Sequence, residues 1–239
     1  MKVAFLSDIH GNAVALEAVL QDIREQSTEQ IVVLGDLSYR GPEPKKCIEL
    51  VQQLQTHVIK GNADEWIVRG IGQGEVPERV FEMMQREREW SLSRLELAEV
   101  QYLQHLPTEV HLSINDRTIH AFHATPHSLF EMVLPHAEDE VIKSNLMSHS
   151  QSDITLYGHI HRSYIRIVEG KMVINTGSVG LPFDGCAMAS YSMIDIDKAG
   201  ITASIRRVRY DLERVARQYQ EAEYPNLLMI DVLRNARIG

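Results

Sequence analysis

At 239 residues with 44% hydrophobic side chains, the chain is long enough to bury a substantial core, and its 24% charged content is ordinary for a globular protein. Its 24 basic and 33 acidic side chains leave a formal charge of −9, which argues against a broad electrostatic grip on long nucleic acid. Cys47 and Cys186 suggest no disulfide framework, the first apolar run is too short for a signal peptide, and no stretch approaches the roughly 18 apolar residues of a membrane span, so a cytoplasmic protein is expected.

The first apolar run begins at Val3 and stops at Ser7-Asp8-Ile9-His10-Gly11-Asn12. An unbroken run of this kind reads as a strand buried on both faces. In open α/β sheets the carboxyl end of such a strand is where ligands bind. Leu16, Val19, Leu20 and Ile23 then mark one face of a helix that Asn12 can cap. Residues 31–34 form a second buried-type run ending in Gly35-Asp36, and Pro44 opens a helix carrying Cys47, Val51 and Leu54 inward. A third strand, 57–59, ends at Gly61-Asn62-Ala63-Asp64. Strand, helix and strand in this order predict a parallel sheet with right-handed crossovers.

From 65 to 106 the strand pattern disappears. Val80, Met83, Met84 and Trp90, then Leu95, Ala98, Tyr102 and Leu103, are spaced as on helices, after a flexible turn rich in glycine at 70–74. This insertion either covers the site or connects elements. Residues 109–114 and 118–123 alternate about Asn115-Asp116, an antiparallel hairpin ending at His123. A helix around Val141, Ile142 and Leu146 precedes a strand at 154–157, which ends in Gly158-His159-Ile160-His161. Further strands are expected at 164–168, 172–174, 189–196 and 202–209, and helices at 211–223 and 229–233. With no repeat or low-complexity linker, one domain over 1–239 is expected, with a helical insertion at 65–106 and C-terminal helices at 211–235.

The side chains at the strand ends are Asp8, His10, Asp36, Asn62, His123, His159 and His161, all oxygen or nitrogen donors. Imidazole with carboxylate suits manganese, iron, zinc or nickel, whereas an all-oxygen set favours magnesium or calcium. Seven ligands exceed what one four-coordinate zinc needs. One bridging carboxylate with three private ligands on each side would hold two cations roughly 3.5–4 Å apart, the arrangement used for in-line displacement at phosphorus. His57, His105, His111, His120, His136 and His149 have no such placement and read as surface or satisfied core residues.

In order, Asp8-Ile9-His10, Gly35-Asp36, Gly61-Asn62, His123 and Gly158-His159-Ile160-His161 match the five motifs of the calcineurin-like metallophosphoesterase superfamily. Residues 3 to 185 resemble it, most closely its small bacterial branch of YfcE-like phosphodiesterases and serine/threonine phosphatases. The resemblance implies an α/β fold of two stacked mixed β-sheets flanked by helices. It implies that Asp8, His10 and His161 hold one metal, that Asn62, His123 and His159 hold a second, and that Asp36 bridges them. Two divalent ions are expected, manganese first, with iron, zinc, nickel or magnesium as alternatives. The implied reaction is hydrolysis of a phosphodiester or phosphomonoester by a metal-bridging hydroxide.

Two departures qualify the pattern. Ala63 stands where the family places a histidine, its usual general acid. Losing a general acid typically removes about 10²–10⁴ in rate, more for poor leaving groups. Good leaving groups, a diester route, or a replacement acid from His127 or Tyr39 then become the expectation, and Asp64 is left to cap the next helix. Second, Gly35-Asp36-Leu37-Ser38-Tyr39-Arg40-Gly41 resembles the phosphoprotein phosphatase motif Gly-Asp-X-X-Asp-Arg-Gly, with Tyr39 for the second aspartate. Arg40 falls where that family grips phosphate, a task suited to a guanidinium fork. Asp36, Asn62, Arg40 and His127 form the expected catalytic set, with Arg40 and Asn62 contacting substrate.

The segment from Asn175 to Gly180 resembles one that packs beside the metal site in small bacterial members, so Asn12, Asn175 and Ser178 are given supporting roles. Trp66, Trp90 and Phe183 read as packing. A small phosphate ester, a nucleotide and a phosphoprotein all stay open as substrates, as does a homo-oligomer. The alternative is a scaffold that keeps the fold without turnover, as the retromer subunit of this superfamily does. Ala63 supports that reading and retention of all seven ligands opposes it.

Overall fold

The computed structural model describes residues 1–147 and 152–237. The chain opens with β1 (Lys2–Leu6), α1 (Ala13–Glu25), β2 (Gln30–Val33), α2 (Pro44–Gln53) and β3 (His57–Val58). Three helices follow, α3 (Asn62–Arg69), α4 (Glu78–Ser93) and α5 (Leu97–Gln104), then the hairpin of β4 (Glu109–Ile114) and β5 (Arg117–Phe122). Next come α6 (Asp139–Leu146), β6 (Ile154–Tyr157), β7 (Tyr164–Val168) and β8 (Lys171–Asn175). The chain closes with β9 (Ala189–Asp197), β10 (Gly200–Val208), α7 (Leu212–Glu221) and α8 (Leu228–Asn235).

These strands make two mixed five-stranded sheets, ordered β10-β9-β1-β2-β3 and β4-β5-β6-β8-β7. β1, β2 and β3 are parallel neighbours, as the strand–helix–strand pattern predicts. β9 lies antiparallel beside β1, with Ile194 opposite Val3, and carries β10 outward. In the second sheet β6 lies parallel to both β5 and β8, while the outer pairs are antiparallel.

Alternation along each strand decides where its side chains go. Val3, Phe5, Val32 and Ile194 join Ile119, Ala121, Leu156 and Ile174 in the layer between the sheets. Ala4, Leu6 and Val33 face the other way, onto Leu16, Val19 and Ile23 of α1 and Cys47 and Val51 of α2. β1 and β6 are buried on both faces, which is why they read as unbroken apolar runs. Trp66, Ile67, Met84 and Leu103 bring the 65–106 helices into that same outer core. α7 and α8 pack with Val14 and Leu181 through Val215, Tyr219, Met229 and Leu233. Among the described residues no helix is long and apolar enough to cross a membrane.

Candidate active site

The ends of β1, β2, β5 and β6 and the start of α3 converge on one spot. Five of the residues there, Asp8, His10, Asp36, His159 and His161, adopt left-handed backbone conformations, with φ between 48° and 66°. Each such non-glycine residue costs of the order of 1 kcal/mol, and clusters of them persist where surrounding bonds over-determine them. Those bonds are present. Asp8 N–H donates to the Gly35 carbonyl at 3.1 Å and His10 N–H to the Asp36 carbonyl at 2.9 Å. His159 N–H donates to Asp8 Oδ2 at 3.0 Å, which ties the second sheet to the first. Ser178 Oγ donates to the Asp8 carbonyl at 2.7 Å, and Asn175 Nδ2 to that of Gly158 at 2.6 Å, so the 175–180 segment braces both strand ends. Asn12 caps α1, accepting Ala15 N–H at 3.0 Å, and its amide donates to the Gly180 carbonyl at 3.0 Å.

Every histidine of the cluster spends its one N–H outward on a backbone carbonyl. His10 Nδ1 donates to Tyr39 at 2.9 Å, His123 Nδ1 to Leu34 at 2.7 Å, His159 Nε2 to Phe130 at 3.2 Å and His161 Nδ1 to Leu181. A carbonyl can only accept, so each ring, when neutral, turns its remaining nitrogen inward as a lone pair. His10 Nε2 and His161 Nε2 meet at 3.1 Å, and His161 Nε2 lies 3.1 Å from Asp8 Oδ1. His123 Nε2 and His159 Nδ1 lie 2.9 and 2.8 Å from Asn62 Oδ1. Asp36 Oδ2 sits 3.5 Å from both His10 Nε2 and His123 Nε2.

Acceptors therefore face acceptors throughout a buried site. Asp8 Oδ1 is fully buried and receives no hydrogen bond, a costly arrangement unless a cation sits among the lone pairs. Asp8, His10, Asp36 and His161 bring ligand atoms within 4.8 Å of one another and fit one such ion, while Asn62 Oδ1 gathers His123 and His159 beside them. The electrostatics express the same demand for positive charge. Burial disfavours a charged His123, yet Asp36 and Asp8 pull its pKa up to about 10. Burial raises and His161, with His10 and His123, lowers the pKa of Asp8, and the histidines prevail. His159, buried beside His123, is pushed down to about 4.

The departures take definite places. Ala63 N–H donates to Asp36 Oδ1 at 2.7 Å, so that position supplies a backbone donor and no imidazole. Asp64 does more than cap α3. Fully buried, it accepts the N–H groups of Gly61, Asp36 and Leu37 at 2.9, 2.8 and 2.9 Å. Burial and the nearby Asp36 charge raise its pKa to about 6 against those donors. Tyr39 is buried in the core, its hydroxyl donating to the Met84 carbonyl at 2.7 Å. Burial, with Glu87 nearby, lifts its pKa far above the usual range, so it offers no proton to a substrate.

Arg40 is turned toward α4 and α8, its Nε 3.6 Å from the fully buried Glu87 and an Nη 3.3 Å from Met229 Sδ. His127 lies exposed on the loop after His123. His120 is buried against Glu109 at 2.7 Å and stacks on His111, forming a second His/Glu group on the outer face of the β4–β5 hairpin. His149 lies outside the described residues. Phe183, read from sequence as packing, lies flat on the His161 ring with centroids 4.2 Å apart. No local signal marks that contact, because it spans the loop after β8.

Residues 1–199 match the family model of the calcineurin-like phosphoesterase superfamily domain, and the chain belongs to that superfamily. It is a hydrolase acting on phosphate esters, of a metal-dependent family. The chain is 28% identical over 243 residues to the uncharacterized protein MJ0912 of Methanocaldococcus jannaschii, with 95% of each chain covered. It is 27% identical over 217 residues to the phosphodiesterase YfcE of Escherichia coli K12, covering 85% of this chain and 92% of that one. The crystal structure of a metallophosphoesterase from Sphaerobacter thermophilus matches with a TM-score of 0.80 at 25% identity over 99% of both chains.

Proposed function

We propose that the chain hydrolyses phosphodiesters at a dinuclear centre, with Asp8, His10 and His161 holding one divalent cation, Asn62, His123 and His159 the other, and Asp36 both. The observation that carries this reading is the pair of 3.5 Å separations that place Asp36 Oδ2 near the inward nitrogens of both His10 and His123. Two cations there would neutralise the ester's charge and lower the pKa of water enough to yield hydroxide near neutral pH. The chain's own residues supply the geometry. Carbonyl partners stop the imidazoles rotating, and the Ala63 N–H and the backbone of the β2 loop fix Asp36.

Arg40 is the candidate grip on a phosphate oxygen, which requires its guanidinium to leave Glu87. His127, exposed on the neighbouring loop, is the candidate proton donor to the leaving oxygen. With alanine at 63 and Tyr39 buried, esters with good leaving groups are the favoured substrates, and the YfcE likeness supports diesters over monoesters. The test is turnover of bis-p-nitrophenyl phosphate and p-nitrophenyl phosphate with added manganese. Diester hydrolysis that exceeds monoester hydrolysis and vanishes in Asp36→Asn is expected. Protein that binds two manganese ions yet turns over neither compound would overturn the reading and favour a scaffold.

A further inference from the structure

Beside the metal-ligand cluster lies a cavity of about 690 Å³, within the roughly 300–1,000 Å³ of small-molecule sites. His159 forms part of its wall, so it opens off the candidate centre. Phe183 lines it too. One face of that ring is covered by His161, at 4.2 Å and 7° between planes, and the ring also packs on the core of α7 and α8, so a part of it is left to the cavity. Met132, 68% exposed, supplies apolar surface to the same cavity. Large apolar groups left in water beside a reaction centre suit a planar ligand.

The charge of this cavity is opposite to that of the chain. Arg162 and Arg237 both line it, both are exposed, and neither has a carboxylate partner among the described residues. Asp184 is the single carboxylate in the lining, and Arg207 pairs with it while also donating to Ser163 at 2.6 Å. Two guanidiniums are thus uncompensated next to the candidate centre of a chain whose formal charge is −9. Guanidinium forks match phosphate and carboxylate oxygens in pairs.

We propose that this cavity holds the organic part of the substrate, and that this part carries both a ring and a second anionic group, as a phosphorylated nucleoside does. The inference rests on the phosphoesterase reading above and adds a substrate class to it. Phe183 and Met132 would pack against the ring, and Arg162 and Arg237 would take the second phosphate. The ester phosphorus would then lie over the cluster that includes His159.

Two chromogenic diesters differing in one group test this: thymidine 5′-(p-nitrophenyl phosphate) and the same compound carrying a 3′-phosphate. Both release p-nitrophenolate, so neither depends on the general acid missing at position 63. With manganese, the 3′-phosphorylated compound is expected to show a KM lower by about tenfold or more. The Arg162→Gln/Arg237→Gln double variant is expected to erase that ratio. Equal KM values for the two compounds in the native protein, failure to cleave either, or a preference that survives in the double variant would overturn the subsite while bis-p-nitrophenyl phosphate is still cleaved. Absence of bis-p-nitrophenyl phosphate turnover would instead overturn the phosphoesterase reading, and the subsite with it.

Discussion

The Asp64 carboxylate accepts the Asp36 backbone N–H at 2.8 Å, so one buried acid sets the main-chain pose of another. Asp64→Asn preserves shape but turns one oxygen into a donor facing N–H groups. A buried donor left unsatisfied costs about 1–3 kcal/mol. Loss of a group that orients a ligand typically lowers metal affinity about 10–100-fold. Calorimetric titration with manganese, well below the unfolding temperature, is therefore expected to show weakened binding. Full affinity in a destabilised variant would reduce Asp64 to a helix cap.

Gly61 has an ordinary negative φ, and its constraint is space. A Cβ there would lie 2.1 Å from Asp36 Oδ1 and 2.5 Å from Asp36 N. Gly61→Ala is expected to cost about 1–3 kcal/mol through this overpacking, and to remove manganese-dependent turnover. Gly74→Ala, where a Cβ meets nothing within 4 Å, serves as the comparison despite its strained φ of 83°. Urea titration and turnover of the two variants check the contrast; retained activity in Gly61→Ala would show that Asp36 can shift freely.

Asp22 fastens α1 to β9 and β10. It accepts Arg206 Nε at 2.7 Å, Arg206 Nη at 2.8 Å and the Tyr191 hydroxyl at 2.7 Å. The Arg206 hydrogen bonds, outweighing desolvation, hold its pKa below the usual carboxylate range. A depressed folded pKa adds stability that is fully present above the unfolded value of about 3.9 and is lost as pH falls through the folded value. Asp22→Asn is expected to lower the melting temperature by roughly 2–4 °C at pH 7, equivalent to about 1 kcal/mol. That gap should shrink below pH 4, as thermal scans across pH would show.

Arg40 and Glu87 form a partly buried pair that links the β2 loop to α4, with Asn226 donating to Glu87 at 2.7 Å. Truncating one member of a buried pair typically costs about 3–5 kcal/mol, whereas replacing both by apolar groups can be close to neutral. Glu87→Ala is expected at the lower end of that range, because Arg40 retains some solvent. The Arg40→Met/Glu87→Leu pair should recover most of the loss. Denaturant unfolding of the native protein, Arg40→Met, Glu87→Leu and the double variant closes the cycle, and additive losses would show that the two do not interact.

Much of the candidate centre was legible because its donor side chains sit at the ends of strands buried on both faces. Val3 to Leu6 and Ile154 to Tyr157 stand out as apolar runs, and the donor residues follow within a few positions. Helical spacing likewise located α4 through Met84 and Trp90. What stayed hidden depends on distant contacts. Nothing near Tyr39 distinguishes a hydroxyl aimed at substrate from one bonded to Met84, 45 residues away. The antiparallel seat of β9 beside β1 joins segments nearly 190 residues apart, which local periodicity does not encode. Asp64 read as a cap because capping is local, while its grip on Asp36 and Leu37 crosses from one strand end to another.

The parts of the centre also enter the chain at very different times. Asp8 and His10 are made well before their partners: His161 follows His10 by 151 positions, and its ring leans on the carbonyl of Leu181. Ser178, which holds the Asp8 carbonyl, is equally late. A nascent chain that ends between His123 and His159 presents Asp36, Asn62 and His123 with half their companions missing. The full set of seven donors closes only after β8 and the segment beyond it have been synthesised. A stalled or truncated product that stops short of that segment is thus left without the finished set of donors.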